Sequence, residues 1–461
     1  MRTRSTLAMA AAAAMAVAVG LSGAPVMAAP ATTSAGGPSL TWALPHFAVG
    51  RQVGWLLSAG PNAPLPVREI KQHFDKTFLA QVPPAQINKV LERYPSRSPW
   101  RPVTLDAGTA RNLLLVSAIA GTKRLGVEIE TDPHGLINAV LLSAEPALPP
   151  GPTSWSAVDR AARKLAPDVG FEAATVGAGG RCDPVNTLAP SAPRPLGSMF
   201  KLYVLGAVAD AVSQGRLSWQ TKVALTARLR SIPSGSLQIE PLGTRYTVAQ
   251  LAQLMISSSD NTAADELAAL AGRSAVEAQV RLTSRHASLD VPFLRTREFA
   301  ALKFDNYPHH ANAYLARSPA ARLSYLRAVV DHLPLSAIEP NPGDLSQPRN
   351  IATIEWFASP ADMCAQFARL YRDAGRPALA PVSAALSTND GGIELARAAW
   401  PLVWFKGGSE TGVLTLGYLA RSASGKVVLV VLQLSDPTKA IANSAEFTAL
   451  LIMHAAFTLA G

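Results

Sequence analysis

The stretch Pro146-Ala147-Leu148-Pro149-Pro150-Gly151-Pro152 limits what this chain can fold into more than any other. Each proline locks φ near about −65° and removes a backbone N–H, so neither a helix nor a central strand can run through it. A chain of 461 residues has room for two or three domains. The prolines therefore predict a break: a small segment at 41–145, a linker at 146–154 and a larger segment at 155–461.

The first residues stand apart from both segments. Arg2 and Arg4 form a positive start, and Leu7 to Leu21 is an alanine-rich apolar core. Val26-Met27-Ala28 offers a small-residue cleavage site before Ala29. That is the pattern of a secretory signal peptide over 1–28. Residues 29–40, rich in Pro, Gly, Ser and Thr, read as a linker. No cysteine follows closely enough for lipid anchoring. No later stretch approaches the ~18 apolar residues of a membrane span. A soluble, secreted or cell-envelope protein with no transmembrane segment is expected. Hydrophobic residues are 48% and charged residues 16%, which suits a packed globular protein rather than a disordered one. The formal charge of +10 is spread along the chain without a dense basic run, so nucleic acid is not an expected partner. Cys182 and Cys364 are the only cysteines. Export permits a disulfide between them, and two buried thiols fit equally well. Without a Cys/His cluster no metal site is expected, and nothing calls for a cofactor.

The small segment reads as α+β. From Gly50 to Arg93 the apolar spacing is helical, broken at Pro64, Pro66 and Pro83-Pro84. Leu125, Val127 and Ile129 then alternate as in a strand. Asp132-Pro133-His134-Gly135 marks a turn, and Ile137, Ala139 and Leu141 follow in step. Helices followed by an antiparallel meander predict a small curved sheet wrapped on helices. The large segment opens with a helix at Trp155–Leu165 and a strand at Val169–Val176. It closes with a buried-type strand at Lys426–Leu434 and a helix capped by Asn443-Ser444-Ala445-Glu446. A sheet built from both ends of a segment, with helices between, is an α/β sandwich.

Three motifs carry chemistry. Ser198-x-x-Lys201 follows Gly197, and Leu202, Leu205, Val208, Ala209 and Val212 recur behind it at helical spacing. Ser198 is thus placed at a helix start with Lys201 one turn on. A lysine desolvated there loses its proton readily and suits the role of base. The Ser198 backbone N–H suits one half of an oxyanion hole. Ser259-Asp260-Asn261 lies between a helix capped by Thr247 and Gln250 and a new helix at Asn261-Thr262. There Ser259 is suited to relay a proton, Asn261 to hold Lys201 and a substrate amide, and Asp260 to brace the turn. Leu402-Val403-Trp404-Phe405 reads as a strand ending in Lys406-Gly407-Gly408-Ser409. Such an edge admits a substrate backbone as an added strand, with Lys406 for a carboxylate and the Ser409 N–H as second oxyanion donor. Each motif alone has an ordinary reading: an N-cap serine with a solvent-facing lysine, an Asx turn, an edge lysine before a glycine turn.

Together, in this order and on these elements, the motifs resemble those of the penicillin-recognising serine enzymes, class A β-lactamases above all. Ile256 to Ala264 and Gly412 to Tyr418 share that likeness. The whole architecture is similar to the β-lactamase-like hydrolases of the clavulanic-acid cluster and related actinobacterial envelope proteins. The resemblance implies a cystatin- or NTF2-like front domain and a β-lactamase/transpeptidase-like α/β sandwich behind it. It implies Ser198 as acylated nucleophile, Lys201 as base and Ser259 as relay. Asn261, Lys406, Gly407, Gly408 and Ser409 would line the substrate site. Two departures stand out. Gly407 replaces the hydroxyl residue usual between the third-motif Lys and Gly. No E-x-x-L-N loop, whose Glu drives deacylation in class A enzymes, lies between Asn261 and Lys406. Glu298, Glu339 and Glu355 are the nearest carboxylates, each read as structural or exposed, with Glu298 the first to test as a base. The expectation is an exported serine hydrolase acting through an acyl-enzyme on a small-molecule β-lactam, ester or peptidoglycan-type amide, with slow β-lactam turnover. The alternative is a non-catalytic envelope protein that binds a small ligand in the old pocket or the front domain.

Overall fold

The computed structural model describes residues 48–96, 99–106, 113–120, 123–145, 151–340, 342–393 and 395–461. The leader expected over 1–28, the linker over 29–40 and Pro146–Pro150 lie outside these residues. Among the described residues no helix is long and apolar enough to cross a membrane.

Four helices come first: α1 (Ala48–Ala59), α2 (Val67–His73), α3 (Lys76–Gln81) and α4 (Pro84–Leu91). An antiparallel meander follows, in the order β1 (Arg101–Asp106), β2 (Leu113–Ala120), β3 (Lys123–Thr131) and β4 (Ile137–Glu145). Helix α1 lays Val49, Val53, Leu56 and Leu57 against β2 and β3, where Val116, Leu125, Val127 and Ile129 are buried. The expected alternation fails in β4. Thr131 pairs with Ile137 but Glu130 pairs with Ala139, which leaves Asn138 as an extra residue. One extra residue swaps the faces of everything after it. Ile137 is buried, yet Leu141 is 52% exposed, and Val140 and Leu142 pack inward instead.

The large sheet is built from both ends of the remaining chain. Its strands are β5 (Asp168–Val176) and β6 (Cys182–Leu188), after helix α5 (Trp155–Ala162), with β11 (Leu402–Glu410), β12 (Val413–Arg421) and β13 (Val427–Ser435) near the end. Between them come β7 (Arg194–Pro195), α6 (Lys201–Ser213), β8 (Lys222–Ala224), β9 (Arg245–Thr247), α7 (Val248–Ser257), α8 (Asn261–Ala271) and α9 (Arg273–Thr283). Then follow α10 (Thr296–Phe304), α11 (His309–Leu315), α12 (Pro319–Ala328), β10 (Phe357–Ala358), α13 (Pro360–Ala374) and α14 (Ala380–Ser387). Helix α15 (Asn443–Ala460) closes the chain. The sheet order is β11-β12-β13-β5-β6, all antiparallel, so β11 is an edge strand.

Helices α5 and α15 cover one face, packing Val158, Ala162, Ile452, Met453 and Phe457 on Phe171, Val428, Val430 and Leu432. Helices α13 and α14 cover the other with Phe367 and Leu386. Every residue of β13 is buried, as expected of an apolar run covered on both faces. Helix α15 begins at Asn443, with Ala442 rather than Asn443 in the N-cap position. A disulfide joins Cys182 on β6 to Cys364 on α13, with Cα atoms 6.3 Å apart.

Candidate active site

Helix α6 is buried continuously from Lys201 to Ala209, so it runs through the protein rather than over it. A short 3-10 turn, Gly197–Phe200, leads into it and carries Ser198. Gly197 sits at φ +50°, in the left-handed region that a side chain disfavours. A Cβ there would lie 2.8 Å from the Ser409 backbone nitrogen. On the facing strand, a Cβ on Gly408 would lie 2.2 Å from the Leu196 carbonyl oxygen and 2.5 Å from the Ser198 nitrogen. Two glycines thus let the backbone of β11 touch the turn. The seam between them bears the Ser198 and Ser409 N–H groups. Strand β11 does not end at the glycines but continues to Glu410.

Lys201 is fully buried. Its Nζ reaches Ser198 Oγ at 3.0 Å, Ser259 Oγ at 3.0 Å, the Ser259 carbonyl at 2.6 Å and Asn261 Oδ1 at 2.6 Å. Burial pushes this lysine down to about 7, partly opposed by the carboxylates of Asp260 and Asp265. Lys406, also buried, reaches Ser259 Oγ at 3.1 Å and the Gly407 carbonyl at 2.6 Å. Burial, and then the charge of Lys201, hold it well below the ordinary lysine range. Ser259 Oγ therefore sits between two lysine nitrogens. The serine itself is at φ +55°, a costly backbone for a residue with a side chain.

The turn that holds Ser259 is built by its neighbours. A reciprocal Thr247–Gln250 cap starts α7, and Asp260 is the N-cap of α8. The buried Asp260 carboxylate accepts N–H bonds from Ser236, Leu237 and Ala263. Asn261 donates its Nδ2 to the Ile232 carbonyl at 3.2 Å, which turns Oδ1 toward Lys201. Asp265 accepts from the Thr296 and Arg297 N–H groups, fastening the start of α10 beside α8. Burial raises its carboxyl to about 6.

All the sequence-predicted positions converge. Ser198, Lys201, Ser259, Asn261 and Lys406 share one hydrogen-bonded cluster, and Gly407, Gly408 and Ser409 line the adjoining strand. Gly407 faces Phe405: a Cβ there would be 2.9 Å from that ring and 3.1 Å from the Thr415 carbonyl. A hydroxyl residue at 407 would require the ring to move.

The three carboxylates have other partners or other places. Glu298 is buried and bonded to Arg273 and Arg295, whose charges hold it below the usual carboxylate range against its burial. It is fixed in an ion-pair network and unsuited to the role of base. Glu339 is exposed. Glu355 is buried and accepts the Gly197 N–H at 3.3 Å, directly behind the turn that bears Ser198. Sequence reasoning did not connect it to the site. Its separation from Ser198 hides the link, and the β7–β10 pairing and the stacking of Phe200 on Trp356 bring the two segments together. Glu172, Cys182 and Cys364 place metal-ligand-type atoms within 4.8 Å of one another, but the two sulfurs are bonded to each other.

Residues 185–377 match the family model described as the beta-lactamase enzyme family. Residues 44–137 match the one described as the ORF 12 gene product N-terminal family. No curated protein matches the chain. Among solved structures, the beta-lactamase from Sphaerobacter thermophilus is 21% identical, with 67% of this chain and 97% of that one covered at a TM-score of 0.46. PBP-A is 15% identical, with 68% and 99% covered at 0.44. A beta-lactamase from Chitinophaga pinensis is 17% identical, with 65% and 96% covered at 0.43. The first family match takes in Ser198, Lys201, Ser259 and Asn261 and stops short of Lys406. The segment that bears Ser198 and Ser259 is similar to the beta-lactamase enzyme family.

Proposed function

We propose that this protein is an exported serine hydrolase that forms an acyl-enzyme at Ser198 on a β-lactam, an ester or a peptidoglycan-type amide. The observation that carries the reading is the setting of Lys201 Nζ. Two of its contacts, the Ser259 carbonyl and Asn261 Oδ1, are pure acceptors at 2.6 Å. A neutral amine has two N–H bonds and one lone pair. With both N–H bonds given to those acceptors, the lone pair is left for the hydroxyls, Ser198 among them. Burial favours that neutral form.

Acylation then runs as follows. Lys201 takes the Ser198 proton as Oγ attacks the substrate carbonyl. The Ser198 and Ser409 N–H groups receive the oxyanion. Ser259, bonded to both lysines, gives its proton to the leaving nitrogen or oxygen and takes back from Lys201 the one that came from Ser198. Lys406 binds a substrate carboxylate, whose charge favours the ammonium form. Asn261 positions Lys201 and a substrate amide. Export rests on the leader pattern of residues 1–28.

The test is intact-protein mass spectrometry after incubation with a penicillin and, separately, with an activated ester. Wild type should gain the mass of one acyl group, and Ser198→Ala should gain none. Equal adduct on the Ser198→Ala variant sinks the assignment.

A further inference from the structure

Behind the nucleophile turn lie two acids, Glu355 buried and Glu410 partly buried, that acyl transfer as described does not use. Glu355 precedes β10, which pairs with β7 just before Ser198. The Leu196 N–H donates to the Trp356 carbonyl at 2.8 Å. Glu355 Oε2 accepts two N–H bonds, from Trp356 at 2.7 Å and Gly197 at 3.3 Å. Its Oε1 is buried and meets no donor. The carboxyl of Glu410, at the end of β11, is the acidic group that acts most strongly on it. Both oxygens of Glu410 accept from Lys303 Nζ, at 2.6 and 2.7 Å. Lys303 is itself buried under the Phe299 ring.

The charges allow one arrangement. Lys303 neutralises Glu410, which leaves Glu355 without a counter-ion in a buried place. If Glu355 keeps its proton, every atom is satisfied. Oε1–H donates to Glu410, and Oε2 acts as a carbonyl oxygen toward two N–H groups. Burial and the Glu410 charge both act to hold the Glu355 carboxyl well above the usual range. The charged groups facing it are Glu410 from β11 and Lys303 from α10. Arg349 reaches the Lys303 carbonyl while paired with Asp344, and Asp290 takes the Phe357 N–H further along.

We propose that Glu355 is a positioning residue for the oxyanion hole: a carboxylic acid that shares its proton with Glu410 and so clasps the turn bearing Ser198 to the strand bearing Ser409. The proposal rests on the acyl-transfer reading of the site. It adds that the two oxyanion donors keep their spacing only while one proton stays between two carboxyls. Loss of that proton sets two carboxylates against each other and drives turn and strand apart.

The test compares Glu355→Gln, whose amide reproduces both the donor and the acceptor of the protonated acid, with Glu355→Ala. With a neutral activated ester, Glu355→Ala should lower kcat on the order of 10²-fold, the scale of one misplaced oxyanion donor, with KM nearly constant. Glu355→Gln should recover most of that loss and flatten any alkaline fall in kcat shown by wild type. A second arm needs no activity: the thermal midpoint of wild type and Glu355→Gln from about pH 5 to about pH 9. An acid whose folded pKa is raised loses stability as pH climbs from its unfolded value toward its folded one. Wild type should therefore fall progressively behind Glu355→Gln. A Glu355→Gln variant as slow as Glu355→Ala, or a midpoint gap that stays constant with pH, overturns the proposal. If wild type is never acylated, the catalytic reading falls, and the midpoint arm still decides whether the shared proton exists.

Discussion

At the scale of single residues, Lys201 and Lys406 divide the labour of one hydroxyl, and their charge states make different predictions. Lys201 is pushed down to about 7 by burial. Only its neutral form has a lone pair for the Ser198 proton. Acylation by a neutral ester should therefore rise with pH through the neighbourhood of 7 and level off above it. Stopped-flow or mass-spectrometric acylation rates across pH measure this, and a rate flat from pH 5 to pH 9 would remove Lys201 as base. Lys406 predicts a split between substrates rather than a pH profile. Its Nζ bonds Ser259 Oγ and the Gly407 carbonyl, and an incoming carboxylate would favour its charged form. Lys406→Ala should cost anionic substrates about 1.5–3 kcal/mol, roughly 10- to 150-fold in kcat/KM. Neutral esters should lose far less. An equal loss on both would mean that Lys406 acts through Ser259 alone. Both lysines were visible in the sequence as members of spaced motifs. That Lys406 helps organise Ser259 is implied by the family resemblance alone, because nothing local to positions 201, 259 or 406 records that three distant segments meet.

At the scale of elements, the site is a contact between a turn and an edge strand, and glycines decide how close they come. A Cβ on Gly408 would lie 2.5 Å from the Ser198 nitrogen and 2.2 Å from the Leu196 carbonyl oxygen. Both are backbone atoms that have little freedom to yield. Gly408→Ala should part the seam and lower acylation on the order of 10²-fold. The melting temperature should fall with it, since overpacking costs roughly 1–3 kcal/mol. A variant with wild-type acylation would show that the two N–H groups do not act together. In the sequence, a Lys-Gly-Gly run reads as the end of a strand. In the structure β11 runs on to Glu410, because Gly407 and Gly408 keep their pairing with Leu416 and Thr415 of β12. Elsewhere too, local pattern was legible and register was not. The Thr247–Gln250 cap forms as its spacing predicts. The alternation through Ile137, Ala139 and Leu141 breaks at Asn138, where pairing with β3 inserts a bulge that no side chain announces. Asn443 falls inside its helix rather than before it, since the preceding backbone at Ala442 is already extended and takes the cap position.

At the scale of the whole molecule, the fold brings the residues proposed for acylation together, and among the described residues no carboxylate shares a hydrogen bond with Ser198 Oγ or Lys201 Nζ. Strands from both ends of the large segment make the sheet, helices fill the middle, and α6, α8 and β11 meet at Ser198. The hydrogen bonds of Lys201 Nζ run to two hydroxyls, a carbonyl and an amide oxygen. Glu298 is held by Arg273 and Arg295, Asp260 and Asp265 are engaged by backbone N–H groups, and Glu355 faces Gly197 and Glu410. Hydrolysis of an acyl-enzyme needs a base that activates water on the ester, and such help is worth about 10²- to 10⁴-fold. Penicillins should therefore acylate Ser198 and leave it slowly. The measurement is a time course of the acyl-enzyme mass after excess penicillin is removed. An adduct that persists over minutes is the expected result. Rapid penicillin consumption with no adduct would mean that water is activated efficiently. Because Glu298 is tied into its ion pairs, Lys201 itself, regenerated as the neutral amine once acylation is complete, would then be the first group to examine.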